Sequence, residues 1–147
     1  LADFQDFRSD PEARLWLSSH SGYSVEEVSP AIETLFNRIT LVNKGLTERL
    51  TIDTSVTFKN LRTRATADLG AAVIIELKQD GRTHSEMKDI LLKHRVKPFR
   101  ISKYCIGVSL TDSRVRTGRF KEKIRYIDKL NKNFYIKCYN PVLLRPL

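Results

Sequence analysis

Ala72-Val73-Ile74-Ile75-Glu76-Leu77-Lys78 reads as a buried β-strand that carries two charges. Successive side chains of a strand point to opposite faces. Val73, Ile75 and Leu77 therefore make one wholly apolar face, and Ile74, Glu76 and Lys78 make the other. A carboxylate and an ammonium on so apolar a strand are costly without a partner. A hydrophobic core has no use for them there, whereas a lined cavity that binds something charged does.

The rest of the chain extends this pattern. Thr34–Val42 is a strand reading with Arg38 in it, and Glu48–Phe58 alternates so that Arg49, Thr51 and Asp53 oppose Leu50 and Ile52. Asn43-Lys44-Gly45 is a turn signal that joins these two in a hairpin. Ala71–Gln79 is the third strand, and Phe99–Leu110, after Pro98, reads as a fourth. The polar segment Asn60–Leu69 is a loop or a further short strand. Asp10-Pro11-Glu12 predicts a helix start, with Leu15 and Trp16 buried and Gly22 ending it. A short helix is expected after Ser24. Two more helices fit Ser85–His94, with Met87, Ile90 and Leu91 on one face, and Arg114–Lys132, with Phe120, Ile124, Ile127 and Asn131 on one face and basic residues elsewhere. The tail Phe134–Leu147 suits an extended arm. The class is α+β, an antiparallel sheet with helices packed outside.

The 147 residues fit one domain or part of a larger one, and 41% apolar residues suffice for a core. A formal charge of +9 implies an anionic partner: nucleic acid, phosphate compounds or an acidic membrane surface. Cys105 and Cys138 form no disulfide framework, which points to a reducing, cytoplasmic compartment. No run is long enough to span a bilayer. The chain starts at Leu1 rather than Met, which suits a fragment or a processed form.

Arg38, Arg49, Glu76, Lys78 and Arg100 each interrupt an apolar strand pattern. Any one alone suits the solvated face of an antiparallel sheet. Together they form a polar parity that is mostly cationic, with one acid, across four strand readings. That suits a groove or tunnel for polyphosphate-like anions. Arginine grips phosphate oxygens in two places, and lysine acts as a point charge. A lone Glu among cations suits a divalent metal that bridges phosphate oxygens. Ser102 is a phosphate donor or a partner for the local backbone, and Lys103 turns inward only if a bulge intervenes. His20, His84 and His94 lack metal-ligand spacing, and Cys105 reads as a small core residue.

Four segments carry a resemblance. They are Phe36-Asn37-Arg38, Arg49-Leu50-Thr51-Ile52-Asp53-Thr54, Val73-Ile74-Ile75-Glu76-Leu77-Lys78 and Ser102-Lys103-Tyr104-Cys105. In order and spacing, from about Pro30 to Gly107, they resemble the VTC domain. This is the polyphosphate polymerase domain of the triphosphate tunnel metalloenzyme superfamily, related to the CYTH enzymes. The resemblance implies a closed antiparallel barrel whose tunnel binds triphosphate, with Mn²⁺ or Mg²⁺ held by an acid. It implies transfer of the γ-phosphoryl group of ATP to a polyphosphate chain. By the same resemblance Arg38 and Arg49 are tunnel arginines and Glu76 is the metal ligand. Arg100, Ser102 and Lys103 are then the phosphate set of the last tunnel strand, with Arg38, Arg49 and Lys103 nearest the chemistry. Arg100 stands where the family often has Lys, and Phe36 where some members have Tyr. Lys78 joins the phosphate set on strand parity alone.

Members of the family begin with an earlier half bearing Glu-x-Lys, Tyr-Phe-Asp-Thr and Arg-x-Arg strands, which this chain lacks. Four strands do not close a tunnel that needs about eight. The expectation is a C-terminal half, completed by the rest of the protein or by a second copy, and inactive by itself. Some members join membrane complexes through parts not present here. A triphosphatase of the same fold, or a non-catalytic module for polyphosphate or for nucleic acid along the basic helix, are the other readings that the sequence leaves open.

Overall fold

A computed structural model describes the backbone of residues 9–81 and 84–139 and the side chains of 9–81 and 84–133. The chain divides into two compact units, Leu1–Ala31 and Ile32–Leu147. In the first, helix α1 spans Pro11–Ser21. Asp10 caps it by accepting from the Glu12 N–H at 3.0 Å, and Gly22 ends it at φ +70°. This start and stop follow the sequence. The burial does not: Leu15 and Trp16 are exposed, and Trp16 stacks on His20 at 4.9 Å. A turn replaces the expected short helix, with the Ser24 N–H bonded to the Glu27 carboxylate.

The second unit is built on strand β2, Glu48–Asn60. Strand β1, Ile32–Val42, pairs antiparallel along one edge. Strands β3, Thr66–Asp68, and β4, Ile74–Gln79, follow one another along the other edge. The hairpin between β1 and β2 is fastened by Asn43, whose side-chain oxygen accepts from the Thr47 and Glu48 N–H groups.

One irregularity in β2 matters more than any turn. Leu35 pairs with Thr57 but Asn37 pairs with Thr54, so β2 holds one residue more than β1 between these points. Ser55 lies there at φ +52°. This is a bulge with a left-handed residue, and it flips the side-chain parity of the strand. Odd-numbered Arg49, Thr51 and Asp53 thus share a face with even-numbered Val56, Phe58 and Asn60. The bulge places a charged half and a core half on the same side of one sheet.

The opposite edge breaks at the same level. Leu69 N–H donates to Val56 O, Gly70 turns the chain out at φ +59°, and Ile74 resumes the pairing. The expected strand at Ala71–Gln79 therefore starts three residues late. Asn131 splices the gap, accepting from the Ala71 N–H and donating to Leu69 O. A Cβ at position 70 would lie 2.8 Å from the Asn131 amide nitrogen, so the residue there is glycine.

Helices α2 (Glu86–Lys93), α3 (Lys103–Thr111) and α4 (Lys121–Tyr139) complete the unit. Met87 and Leu91 of α2 are half-buried, but Ile90, expected on their face, is exposed. Helix α3 occupies the segment expected to be the fourth strand. Tyr104, Ile106, Val108 and Leu110 alternate as in a strand, but packing selects the helix. Ser102 caps it by accepting from the Cys105 N–H, and Ser109 and Thr111 bond back to carbonyls four residues earlier. Ile106 and Gly107 are buried against β2, in a core of Val56, Phe58, Leu69, Ala72, Ile106 and Ile127. Full burial of a side chain such as Phe58 contributes about 1.5–3 kcal/mol.

Helix α4 begins at Lys121 rather than Arg114, because Asp112 ties the Arg114 backbone and side chain into a turn. It presents Ile124, Ile127 and Asn131 inward as its spacing predicts, and it runs to Tyr139 where an extended arm was expected. Residues 140–147 lie outside the described residues. The class is α+β, with an open four-stranded antiparallel sheet.

Candidate functional site: a charged sheet face closed by one helix

The cross-strand register of the sheet assembles the site. Val42, Arg49 and Lys78 form one row; Thr40, Thr51 and Glu76 form the next; Arg38, Asp53 and Ile74 form the third. All nine side chains project from the same face, the face against which α3 packs beyond the bulge. The sequence expectation that Arg38, Arg49, Glu76 and Lys78 share a wall corresponds to this arrangement. The reverse face carries Ile39, Leu41, Ile52, Ile75 and Leu77 in register, with the buried Glu48 opposite Gln79 at its end.

At its inner end the wall is tightly bonded. The Asp53 carboxylate is fully buried. Its two oxygens accept from Arg38 Nε at 2.6 Å and Arg38 Nη2 at 2.9 Å. Lys103 Nζ approaches the second oxygen at 2.5 Å. The Phe36 ring lies beside both cations, 4.7 Å from the Arg38 guanidinium carbon and 5.1 Å from Lys103 Nζ. Arg38 and Lys103 hold the Asp53 carboxyl down to about 2, against the usual 3.8, although burial opposes them. The same contact pushes the Arg38 guanidinium up.

Lys103 arrives by an unexpected route. It is the first residue of α3, on the same side as Gly107 and Thr111, four and eight residues on. Those two are buried against the sheet, so Lys103 is directed onto Asp53. The far end of α3 is anchored by Asn60, which donates to Thr111 Oγ1 at 3.1 Å. No bulge is needed to turn Lys103 inward. Ser102 takes the simpler of its two readings and caps the helix. Arg100 is exposed in the irregular segment before α3, off the sheet, and is not a residue of a last tunnel strand.

The outer rows are looser. Lys78 Nζ lies 3.3 Å from Glu76 Oε1, with both side chains about half exposed or more. Arg49 is exposed and stands directly opposite Lys78. Directly opposed like charges on a sheet are destabilising. The Thr51 hydroxyl, buried in the middle row, has no hydrogen-bond partner among the described residues. Opposed cations and an unsatisfied hydroxyl on one face match an anionic ligand rather than a structural network.

Asp53 is the residue that the sequence reading used for parity but did not assign to the site. Its signal was present: an acid inside an alternating strand, on the face of Arg49.

The sequence model of the VTC domain matches residues 11–111, from α1 through α3. The chain belongs to the VTC domain family. Comparison with curated proteins and with solved structures gave no match. In this VTC chain, no helix among the described residues is long and apolar enough to cross a membrane.

Glu76 is the acid that the family resemblance assigns to a metal. The described residues contain no cluster of three His, Cys, Asp or Glu side chains suited to an ion. A single half-exposed carboxylate among cations does not make an all-protein cage. It does fit a hard cation held mainly by phosphate oxygens and water, the usual state of protein-bound Mg²⁺. Asp53 is unsuited to that role, because Arg38 and Lys103 occupy its oxygens.

Proposed function

We propose that this chain supplies the phosphate-binding wall of a metal-dependent polyphosphate polymerase, transferring the γ-phosphoryl group of ATP to a polyphosphate chain. The observation that carries this reading is the direct opposition of Arg49 and Lys78 on the face that also bears Arg38 and Lys103. Glu76 offsets one of these two cations, and a chain of phosphates would offset the other.

Phosphoryl transfer requires little covalent chemistry from a protein. Positioning and charge neutralisation do most of it. Arg38 and Lys103 spend part of their donors on Asp53 and present the rest to equatorial phosphoryl oxygens. Arg49 and Lys78 face the neighbouring phosphates, and the Thr51 hydroxyl donates between the rows. Mn²⁺ or Mg²⁺ at Glu76 would supply further neutralisation of phosphate oxygens. Arg100 lies off this sheet, and Ser102, which accepts from the Cys105 N–H, keeps its hydroxyl proton for a phosphate oxygen.

The test is synthesis by the full-length protein supplied with ATP and Mn²⁺. Long polyphosphate chains, lost on Glu76→Ala and on Arg49→Ala, support the proposal. Orthophosphate as sole product assigns hydrolysis of triphosphate instead. Undiminished chain synthesis by both variants rejects the wall as the site.

A further inference from the structure

Asp53 is the one fully buried acid of the wall, and it lies where phosphate is proposed to bind. An acid there works against anion binding by simple charge counting. With it, the cluster of Arg38, Lys103 and Asp53 carries +1 instead of +2. We propose that Asp53 is a positioning residue: it fixes Arg38 and Lys103 in one geometry before phosphate arrives, with their unused N–H groups turned to the open face. This rests on the phosphate-wall reading above and adds the residue that makes the wall rigid.

The geometry supports it in three ways. Both carboxylate oxygens are used, one by Arg38 Nε and the other by Arg38 Nη2 and Lys103 Nζ. A guanidinium has five N–H groups and an ammonium three. After Asp53 takes two from Arg38 and one from Lys103, three and two remain. The planar contact to a buried partner fixes the guanidinium plane, so the direction of those donors is set by the sheet. Phe36 closes the side of both cations, which removes the alternative in which they swing down. Without the carboxylate, two cations this close repel, and two long side chains must be ordered at the moment of binding.

Charge counting and positioning predict opposite signs, which makes the inference testable. Asp53→Asn is nearly isosteric and raises the local charge by one. Binding of inorganic tripolyphosphate is measured by calorimetry on the full-length protein, with Arg49→Ala as a reference. Positioning predicts that Asp53→Asn weakens binding, about tenfold for two side chains left unordered. Equal or tighter binding by Asp53→Asn overturns it.

The Arg49→Ala reference separates the two readings. If Arg49→Ala binds as wild type does, the phosphate wall itself fails. If Arg49→Ala weakens and Asp53→Asn does not, only the positioning role fails. Should Asp53→Asn not fold, the wild-type protein decides the question by ¹⁵N NMR of arginine side chains. A slowly exchanging Arg38 Nε–H signal, identified by its loss in Arg38→Lys, is expected before and after tripolyphosphate is added. Its absence from the free protein overturns the proposal.

Discussion

At Asp53 the demands of folding meet those of the proposed phosphate wall. A buried carboxylate is costly unless its lone pairs are filled, and Arg38 and Lys103 fill them. Its folded-state value of about 2 lies below the usual 3.8. The sign follows directly. The stabilisation from this group is complete above about pH 4 and is lost as pH falls through 2. The span corresponds to on the order of 2 kcal/mol. Urea unfolding at pH 2, 3, 4 and 6 is expected to show a steeper acid loss for the wild-type protein than for Asp53→Asn. Parallel pH profiles of the two proteins would show that the Asp53 contacts do not stabilise the fold. Phe36 illustrates a quieter effect. It stands where some family members have tyrosine, and its ring works here through its face rather than through a hydroxyl.

Among the elements, α3 and the bulge in β2 do the most to form the wall. The bulge keeps Asp53 and Phe58 on one side, so a helix that packs on Phe58 necessarily ends beside Asp53. Gly107 sets the depth of that packing: a Cβ there would lie 2.6 Å from Phe58 Cδ1. Gly107→Ala is therefore expected to lift α3 from β2, at a cost of about 1–3 kcal/mol. Because Lys103 is one turn away on the same side of α3, the substitution should also weaken tripolyphosphate binding. Thermal unfolding and calorimetry check the two effects. A variant as stable as wild type would show that α3 approaches the sheet less closely than described. The segment also shows why 99–110 is not the fourth strand that the sequence reading expected. Tyr104, Ile106, Val108 and Leu110 satisfy period two as spacing, but the capping hydroxyl of Ser102 and the missing side chain at 107 favour a helix, and neither enters an apolar count.

For the whole molecule, the dominant fact is charge. A net +9 lies on a chain whose charged sheet face places cations opposite one another. The fold is thus held partly against its own field when no anion is present. Replacing Lys78 by Thr should raise the thermal midpoint of the ligand-free protein and shrink the gain produced by adding tripolyphosphate. Wild type should show a large gain, since a ligand that binds only the folded state stabilises by mass action. Equal concentrations of chloride should not reproduce it. If Lys78→Thr lowers the ligand-free midpoint, Lys78 is a structural residue and the opposition to Arg49 costs nothing.

Local rules were enough for the hairpin, the central strand and the placing of Arg38, Arg49, Glu76 and Lys78 on one face. Strand parity and turn chemistry are themselves local. The family was legible in the sequence too, because four short segments keep their order and spacing. Tertiary structure decided what lies between those segments. It decided that Ser55 would flip the parity of β2, that 103–111 would be a helix, and that Asp53 would join two cations. It left Leu15 and Trp16 exposed, and it placed Arg100 off the sheet. The physical reason is common to all of these: each depends on what fills the space beside a residue. Only contact between distant segments, such as Gly107 on Phe58 or Asn131 across the gap at Gly70, supplies that information.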